Sequence, residues 1–541
     1  MKRRSALALA AFIAVGTLAF GQAVKVSAPG VYPIVDKQIT MKAMVPQRLA
    51  STPDWATNKA TLLMEKVTGV KVQFEVAPDF NQALSLSIAS GDLPDIYFAS
   101  SILSADIMRY GPRGLFIPLN SLIEKQGVYI KKMFASEPWI KDVETAPDGN
   151  IYGLPQMNDD LHGVYGQKVW INKPWLDKLG LKVPTTTEEF YTVLKAFKTR
   201  DPNGNGIADE IPYTASTTGY HGQIPGAVLN AFLPVNTFTR GMYLDKGMVK
   251  LAYVEDAYKE GLKYHVRLYK EGLIDPAAFT QTVEQLRQVA ENSKDTIVGV
   301  GGGSWWDGFS MNGGKSGRYK DYVLVPPLKG PAGVQSSGYY KYKISKDLFV
   351  ITKASKIPEV AIKWVDYLFS DEGAWNCMYG PQDIGWKKPA PGSIAISGKP
   401  AMFERLLSQE TTNFNWSVNI PMYQPVALRT AERRVEGEDV WLAAKLMTRL
   451  VGEVQAKYVG IQPPDAAIMP PVYLNERQTA EIKLVETSIV NLINESATRF
   501  ITGDLDIDKE WNNYLANLKK AGMDKWIALY QEAYNDQFKK K

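Results

Sequence analysis

Cysteine and histidine are almost missing from this chain, which holds one Cys and three His among 541 residues. The single Cys377 has no partner for an intramolecular disulfide, so no disulfide framework holds the fold. With only His162, His221 and His265 present, no HExxH occurs and no serine lies in GxSxG, which removes the recognisable zinc-hydrolase and nucleophile-elbow readings. His162 and His265 read as ordinary loop and helix residues. An excess of one charge is also missing: 62 Lys and Arg face 57 Asp and Glu. No basic run is interleaved with aromatics, so nothing argues for nucleic acid, and the terminal Lys539–Lys541 reads as a solvated tail. Internal repeats and low-complexity linkers are absent.

Only one apolar run is long enough to notice, and it stands at the front. Lys2, Arg3 and Arg4 precede an apolar stretch from Ala6 to Phe20, followed by Gly21, Gln22 and Ala23. That order predicts a secretory signal peptide over 1–23, cleaved after Ala23. About fifteen apolar residues are short for a membrane span, although a retained N-terminal anchor is the competing reading. No cysteine stands at the cleavage point to accept a lipid, so a soluble periplasmic or secreted protein is expected. Losing three basic residues and no acidic one lowers the formal charge from +5 to +2. The length favours two lobes over one.

What is present in quantity is oxygen chemistry and aromatic surface. The stretch DPNGNGIADE places Asp201, Asn203, Asn205, the Ile207 carbonyl, Asp209 and Glu210 around a glycine-relieved turn, with Gly206 where an EF-hand loop bends. A hard cation takes six to eight such oxygens, so a structural Ca2+ is expected. The EF-hand pattern is incomplete, because position twelve is Pro212 instead of Glu. A solvated Asn/Gly turn is the alternative.

Periodicity supplies the elements. Lys71–Val76 alternates as a strand, Asn81–Ser90 reads as a helix closed by Gly91, and Asp95–Ala99 is a buried strand. Strand and helix alternation predicts βαβ units and a parallel sheet, an α/β architecture. Thr185–Lys198 starts with capping-box spacing at Thr185/Glu188 or Thr186/Glu189. Further helices are expected over Asp256–Glu271, Pro358–Phe369, Asp439–Val454, Glu476–Phe500 and Asp508–Ala533.

TGVKVQFEV, SGDLPDIYF, GLFIPLNSLIEK, DGNIYGLPQ and the block INKPWLDKLGLKVPTTTEEFYTVLKAFKTRDPNGNGIADEIP occur in that order, followed by DEGAWNCMYG and FITGDLDIDKEWNNYLANLKKAGMDKWIALYQEAY. In these motifs the chain resembles, nearly end to end, the extracellular solute-binding proteins that deliver carbohydrates to ABC importers, in their larger calcium-loop-bearing branch. It is similar to alginate-oligosaccharide binders and to the binding lipoproteins of polysaccharide-degrading bacteria, but lacks the lipoproteins' acceptor cysteine. The resemblance implies a two-lobed fold with three interlobe crossings, placed near residues 157, 348 and 415. The lobes are then 24–157 with 349–415, and 158–348 with 416–541. It further implies a sugar in the cleft, hinge closure, an ABC permease as partner, and a monomer.

A sugar ring presents a C–H face and a hydroxyl edge, so its site needs indole or phenol platforms flanked by carboxylates and amides. Trp305 and Trp306 follow three glycines that let backbone approach a ligand, and Asp307 stands beside them; relatives stack a Trp on sugar after this strand. Trp386 in GPQDIGWKK is a further platform candidate. Ser100 and Ser101 follow a strand's carboxyl end, a favoured ligand position. Asn158, Asp159 and Asp160 lie at the first crossing, Tyr220 and His221 on a Gly-containing loop, and Tyr473 follows Pro470-Pro471. For these polar residues and Tyr220, surface turn chemistry is the competing reading; for the Trp pair it is one core and one surface indole.

GFSMNGGKS misses phosphate-loop spacing by one residue and reads as a surface loop. No catalytic group is assigned. The alternatives are a calcium-stabilised lyase or glycosidase working through two carboxylates, and a binding protein for a peptide or small charged metabolite.

Overall fold

The computed structural model describes residues 24–47, 54–292, 294–311, 316–407, 413–416, 419–434 and 443–539. The expected signal peptide, its cleavage point after Ala23, the middle of the GFSMNGGKS loop and the start of the helix expected from Asp439 lie outside the described residues.

Two sheets organise the chain. The larger holds six strands in the order Met422–Gln424, Gly153–Asn158, Ile344–Ile351, Ile96–Phe98, Ile39–Pro46 and Val70–Ala77. The smaller holds Tyr322–Leu324, Val169–Asn172, Val298–Gly302 and Ile211–Thr214. Ile39–Pro46 pairs in parallel with both Val70–Ala77 and Ile96–Phe98, through the crossover helices Lys59–Thr68 and Phe80–Ser90. Side chains of Asn58 and Asp79 cap these helices by accepting from the amides of Ala60 and Gln82, and each helix stops at a left-handed glycine, Gly69 or Gly91.

The parallel expectation holds there and in two further pairs, Met422–Gln424 with Gly153–Asn158 and Ile211–Thr214 with Val298–Gly302. Ile344–Ile351 runs antiparallel to both neighbours, and so does Val169–Asn172 in the smaller sheet. Each is a strand that the chain enters on passing from one sheet to the other, so it approaches from the cleft side and runs against its neighbours.

Each sheet carries its own core. Met41, Phe98, Trp364 and Trp416 pack on the first; Phe190, Leu262, Ile489 and Trp526 belong to the second. Cys377 is sealed in the first core, where burial pushes its thiol well above the usual range. The chain passes between sheets after Asn158, again between Leu324 and Ile344, and a third time beyond Ala431, before the helix Ala443–Lys457. The boundaries expected at 348 and 415 therefore move: 348 falls inside a first-sheet strand, and Trp416, Ile420, Met422 and Ala431 all pack in the first core.

Thr186 and Glu189 close the capping box, starting the helix Thr187–Thr199. The single helix expected over Asp508–Ala533 is two, Ile507–Lys520 and Met523–Tyr534, because Gly522 takes φ 99 between them. No helix among the described residues is long and apolar enough to cross a membrane.

Candidate functional site

Side chains from beside the three passages gather around Asp160. Its carboxylate caps the short helix Leu161–Val164 by accepting from the Gly163 amide, and accepts from Lys343 Nζ at 2.8 Å. His162 Nε2 lies 3.4 Å away. Arg429, beside the third passage, adds its charge and donates to the Tyr379 hydroxyl at 2.9 Å. Burial opposes the Asp160 charge, but the His162 ring, Lys343 and Arg429 outweigh it and hold the carboxyl well below the usual range. Burial also drives His162 down to about 3, so its ring is neutral at neutral pH and the working counter-charges of Asp160 are the two cations. Lys168 donates to the carbonyls of His162 and Ser304, and burial lowers its ammonium to about 7.

Beside this paired group stands an unpaired one. Asn158 Oδ1 and Asp159 Oδ1 are buried with no hydrogen-bond partner among the described residues. Burial raises the Asp159 carboxyl to about 7; Lys343 works against that, Asp160 and Glu137 with it. The hydroxyls of Tyr339, Tyr340 and Tyr423 all feel the Asp159 charge. Aromatic rings continue outward: Tyr340 stacks on Phe238 at 4.1 Å and 12°, Phe238 meets His221 at 4.4 Å, and His221 meets Tyr220 at 4.0 Å. Trp305 lies parallel to His162. Buried acceptors without donors, framed by aromatic faces, fit a polyhydroxylated ligand: hydroxyls donate to the acceptors while C–H faces cover the rings.

Several expected residues come together here and several do not. Asn158, Asp159, Tyr220, His221 and a half-buried Trp305 do. Trp306 is core: it is fully buried 4.5 Å from Trp170 and its indole N–H donates to the Tyr322 carbonyl at 3.3 Å. The glycines before it serve the chain's own packing, since a Cβ on Gly301 would run into Phe309 and one on Gly302 into the Gly222 carbonyl. Trp386 is core as well, against Trp375 at 5.1 Å with its N–H bonded to Asn376 Oδ1 at 2.9 Å. Tyr473 is buried against the first sheet. Ser100 and Ser101 follow Ala99, which takes φ 61, at the end of Ile96–Phe98, and among the described residues no hydrogen bond joins them to the Asp159 group. Sequence reasoning set His162 aside and missed Phe238, Lys343, Tyr423, Arg429 and the tyrosines at 339 and 340. The run YYKYK over 339–343 was the available signal.

In the DPNGNGIADE loop, Asp201 accepts amide N–H groups from Gly204, Asn205 and Gly206 at 2.7, 3.1 and 3.1 Å. Asn203 and Asn205 donate to Asp209 at 2.9 and 3.2 Å, and Asn205 also reaches Asp295, a carboxylate the sequence reading did not include, at 3.4 Å. Glu210 Oε1 is buried without a partner, and burial, then Asp201 and Asp209, raise its carboxyl. That orphaned oxygen among gathered carboxylates fits a hard cation. No group of three or more His, Cys, Asp or Glu among the described residues stands at metal-holding distance, so amide and backbone oxygens such as that of Ile207 would have to complete the shell. His265, by contrast, is a buried helix residue bonded to the Gly261 carbonyl.

Comparison with known proteins extends these observations. The fructooligosaccharide ABC transporter substrate-binding protein FusA of Streptococcus pneumoniae serotype 4 is 29% identical over 526 residues, covering 94% of this chain and 92% of FusA. The solved structure of S. pneumoniae FusA with kestose superposes with a TM-score of 0.69 at 26% identity, over 93% of this chain and 100% of that one. A FusA EF-hand mutant solved with fructo-nystose gives 0.69 at 25% identity over the same shares. The bacterial extracellular solute-binding protein family matches residues 40–375. A match over more than half the length, on a two-lobed fold with a polar and aromatic cleft at its three passages, makes the chain a member of the bacterial extracellular solute-binding protein family.

Proposed function

We propose that this chain is the substrate-binding component of an ABC importer and takes an oligosaccharide into the cleft around Asp159. The observation that carries this reading is the pair of buried acceptors on Asn158 and Asp159, left without donors among the described residues and close enough for the Asp159 charge to act on the hydroxyls of Tyr339 and Tyr340. Hydroxyl groups supply the donors that site lacks, and a ligand touching both lobes stabilises the closed arrangement. FusA's fructooligosaccharides, kestose and fructo-nystose give the starting ligands.

The rest of the reading follows the same line. Ca2+ is held by Asp201, Asn203, Asn205, the Ile207 carbonyl, Asp209 and Glu210, and supplies charge neutralisation to a loop outside the cleft. The protein works as a monomer in the periplasm or outside the cell after loss of residues 1–23, and an inner-membrane permease receives the ligand.

Asp159 and Asp160 bear on the enzyme reading, because their carboxyls titrate far apart, as an acid and base pair does. They are sequence neighbours, however, and Asp160 is already engaged by Gly163 and Lys343. Binding without turnover is the favoured reading. Titration calorimetry with kestose, fructo-nystose and an acidic oligosaccharide, followed by chromatography of the recovered ligand, tests it. Saturable binding with intact sugar supports it; cleaved sugar, or no binding by any of the three, overturns it.

A further inference from the structure

Tyr473 failed as a cleft residue and turns out to be a peg. It follows Pro470-Pro471 and leads into the helix Glu476–Thr502, whose core side chains belong to the second lobe, yet its own ring is buried against the first sheet. Its hydroxyl donates to Asp347 at 2.9 Å and lies 3.3 Å from the Glu144 carbonyl. The Tyr473 amide in turn donates to Gln537 Oε1 at 2.8 Å, and Gln537 Nε2 donates to the carbonyls of Asp142 and Val143, each at 3.1 Å. Two separate points of the second lobe's C-terminal part are therefore plugged into the helix Pro138–Glu144 and the strand Ile344–Ile351 of the first.

The socket is charged. Glu144 is fully buried, and neither carboxylate oxygen has a hydrogen-bond partner among the described residues, the Asp347 amide lying nearby. Asp347 is also fully buried; it takes φ 55 where the strand's pairing register shifts between Ser345 and Phe349, a bulge that turns its side chain inward. Lys346 Nζ, buried and likewise without a hydrogen-bond partner, sits 3.0 Å over the Tyr473 ring. The remaining ionisable neighbours are Asp148, which acts on Tyr473 and accepts from Tyr152, and Arg240 and Tyr530 across a cavity of about 240 Å³ that Lys346 also lines. Arg240 is itself paired with Glu486 at 2.7 Å.

We infer that Tyr473, Asp347, Lys346 and Glu144 form an interlobe latch that sets the angle between the lobes, and that a single proton, carried by one of the two carboxylates, keeps it shut. Two carboxylates and one ammonium balance only when one carboxyl is protonated. Burial raises both acids, Asp347 to about 6 against the pull of Lys346 and the Tyr473 hydroxyl, and Glu144 well above its ordinary value with the charge of Asp347 adding to the rise. For raised acids the sign is fixed: the protonated, latched state is favoured at lower pH, and its advantage disappears as pH rises through the raised values. Loss of the proton leaves a net negative charge in a dry socket. Withdrawing Tyr473 admits water to it, so the lobes part.

Small-angle scattering of the ligand-free protein tests this without reference to any sugar, so its failure is separate from failure of the oligosaccharide reading. From about pH 5 to about pH 8, above the ordinary carboxylate range, the wild-type radius of gyration is expected to rise by about 1 Å on roughly 24 Å. Glu144→Gln and Asp347→Asn each remove the surplus carboxylate, so both should abolish the rise. Tyr473→Phe, which loses the donor but keeps the ring, should already be expanded at the acid end. Far-UV dichroism identifies any variant that fails to fold, and the other carboxylate variant then decides. A flat wild-type profile, or a wild-type rise retained in a folded Glu144→Gln or Asp347→Asn protein, overturns the latch.

Discussion

The His162 imidazole lies parallel to the Trp305 indole, with ring centroids 5.6 Å apart and 3° between planes. The protein thus fixes the indole by one side, and its neighbour Trp306 is consumed by the core. Adjacent tryptophans are expected to fail in different assays. Trp305→Ala should weaken oligosaccharide binding by about tenfold, the worth of one aromatic contact, with little change in melting temperature. Trp306→Ala should cost about 3–5 kcal/mol of stability. Calorimetric titration and thermal melting of the two variants check this.

Asp159 should report ligand by its proton. Its carboxyl stands near 7 because it is buried, and hydroxyl donors from a ligand favour the ionised form and lower that value. Binding near pH 7 should therefore release a proton, seen as an enthalpy that varies with the buffer's ionisation heat. Asp159→Asn should abolish the dependence. The same raised value means that Asp159 stabilises the ligand-free fold least above pH 7: its contribution is present at low pH and is lost as pH rises from the unfolded carboxylate range through about 7. Asp159→Asn should accordingly melt higher than wild type at pH 8.

Chelation should lower the melting temperature. If free Ca2+ is about a hundredfold above its dissociation constant, bound metal contributes about 2.7 kcal/mol, and removal with EGTA should take that away. Asp201→Ala should melt like the chelated wild type, with no further response to EGTA. Oligosaccharide affinity measured at a temperature where both remain folded should be unchanged, on the proposal that the loop lies outside the cleft.

Gly153 is expected to tolerate no side chain. A Cβ there would sit 2.7 Å from the Asp347 Cα and run into its carboxylate. Gly153→Ala must push back the bulged strand, at about 1–3 kcal/mol. Urea denaturation measures the loss, and a variant as stable as wild type would show that the bulge gives way freely.

How much of this was legible in sequence depends on how local each feature is. The capping box at Thr186 and Glu189, the glycine stop at Gly91 and the turn around Asp201 involve residues a few positions apart, and all were readable. The cleft was half readable. Asn158 and Asp159 announced themselves as polar groups at the end of a buried strand, but the pairing of Asp160 with Lys343, under the charge of Arg429, joins distant parts of the chain, and no spacing rule reports it. Nor does composition tell Trp305 from Trp306, because only the position of Trp170 and Tyr322 decides which indole is covered. Trp386 misled for the same reason. An indole near glycines in a polar loop looks exposed until Trp375 and Asn376 are placed against it.

The strand Ile344–Ile351 lies in the middle of the larger sheet, bonded on one side to Ile96–Phe98 and on the other to Gly153–Asn158. A ribosome delivers it only after every strand of the smaller sheet. Until then the first half of the chain holds two unpaired edges and half a core, and no complete lobe exists to fold. Such an order slows folding, since long loops must close before the central pairing forms. It also leaves those edges exposed, and in need of cover, until the central strand arrives.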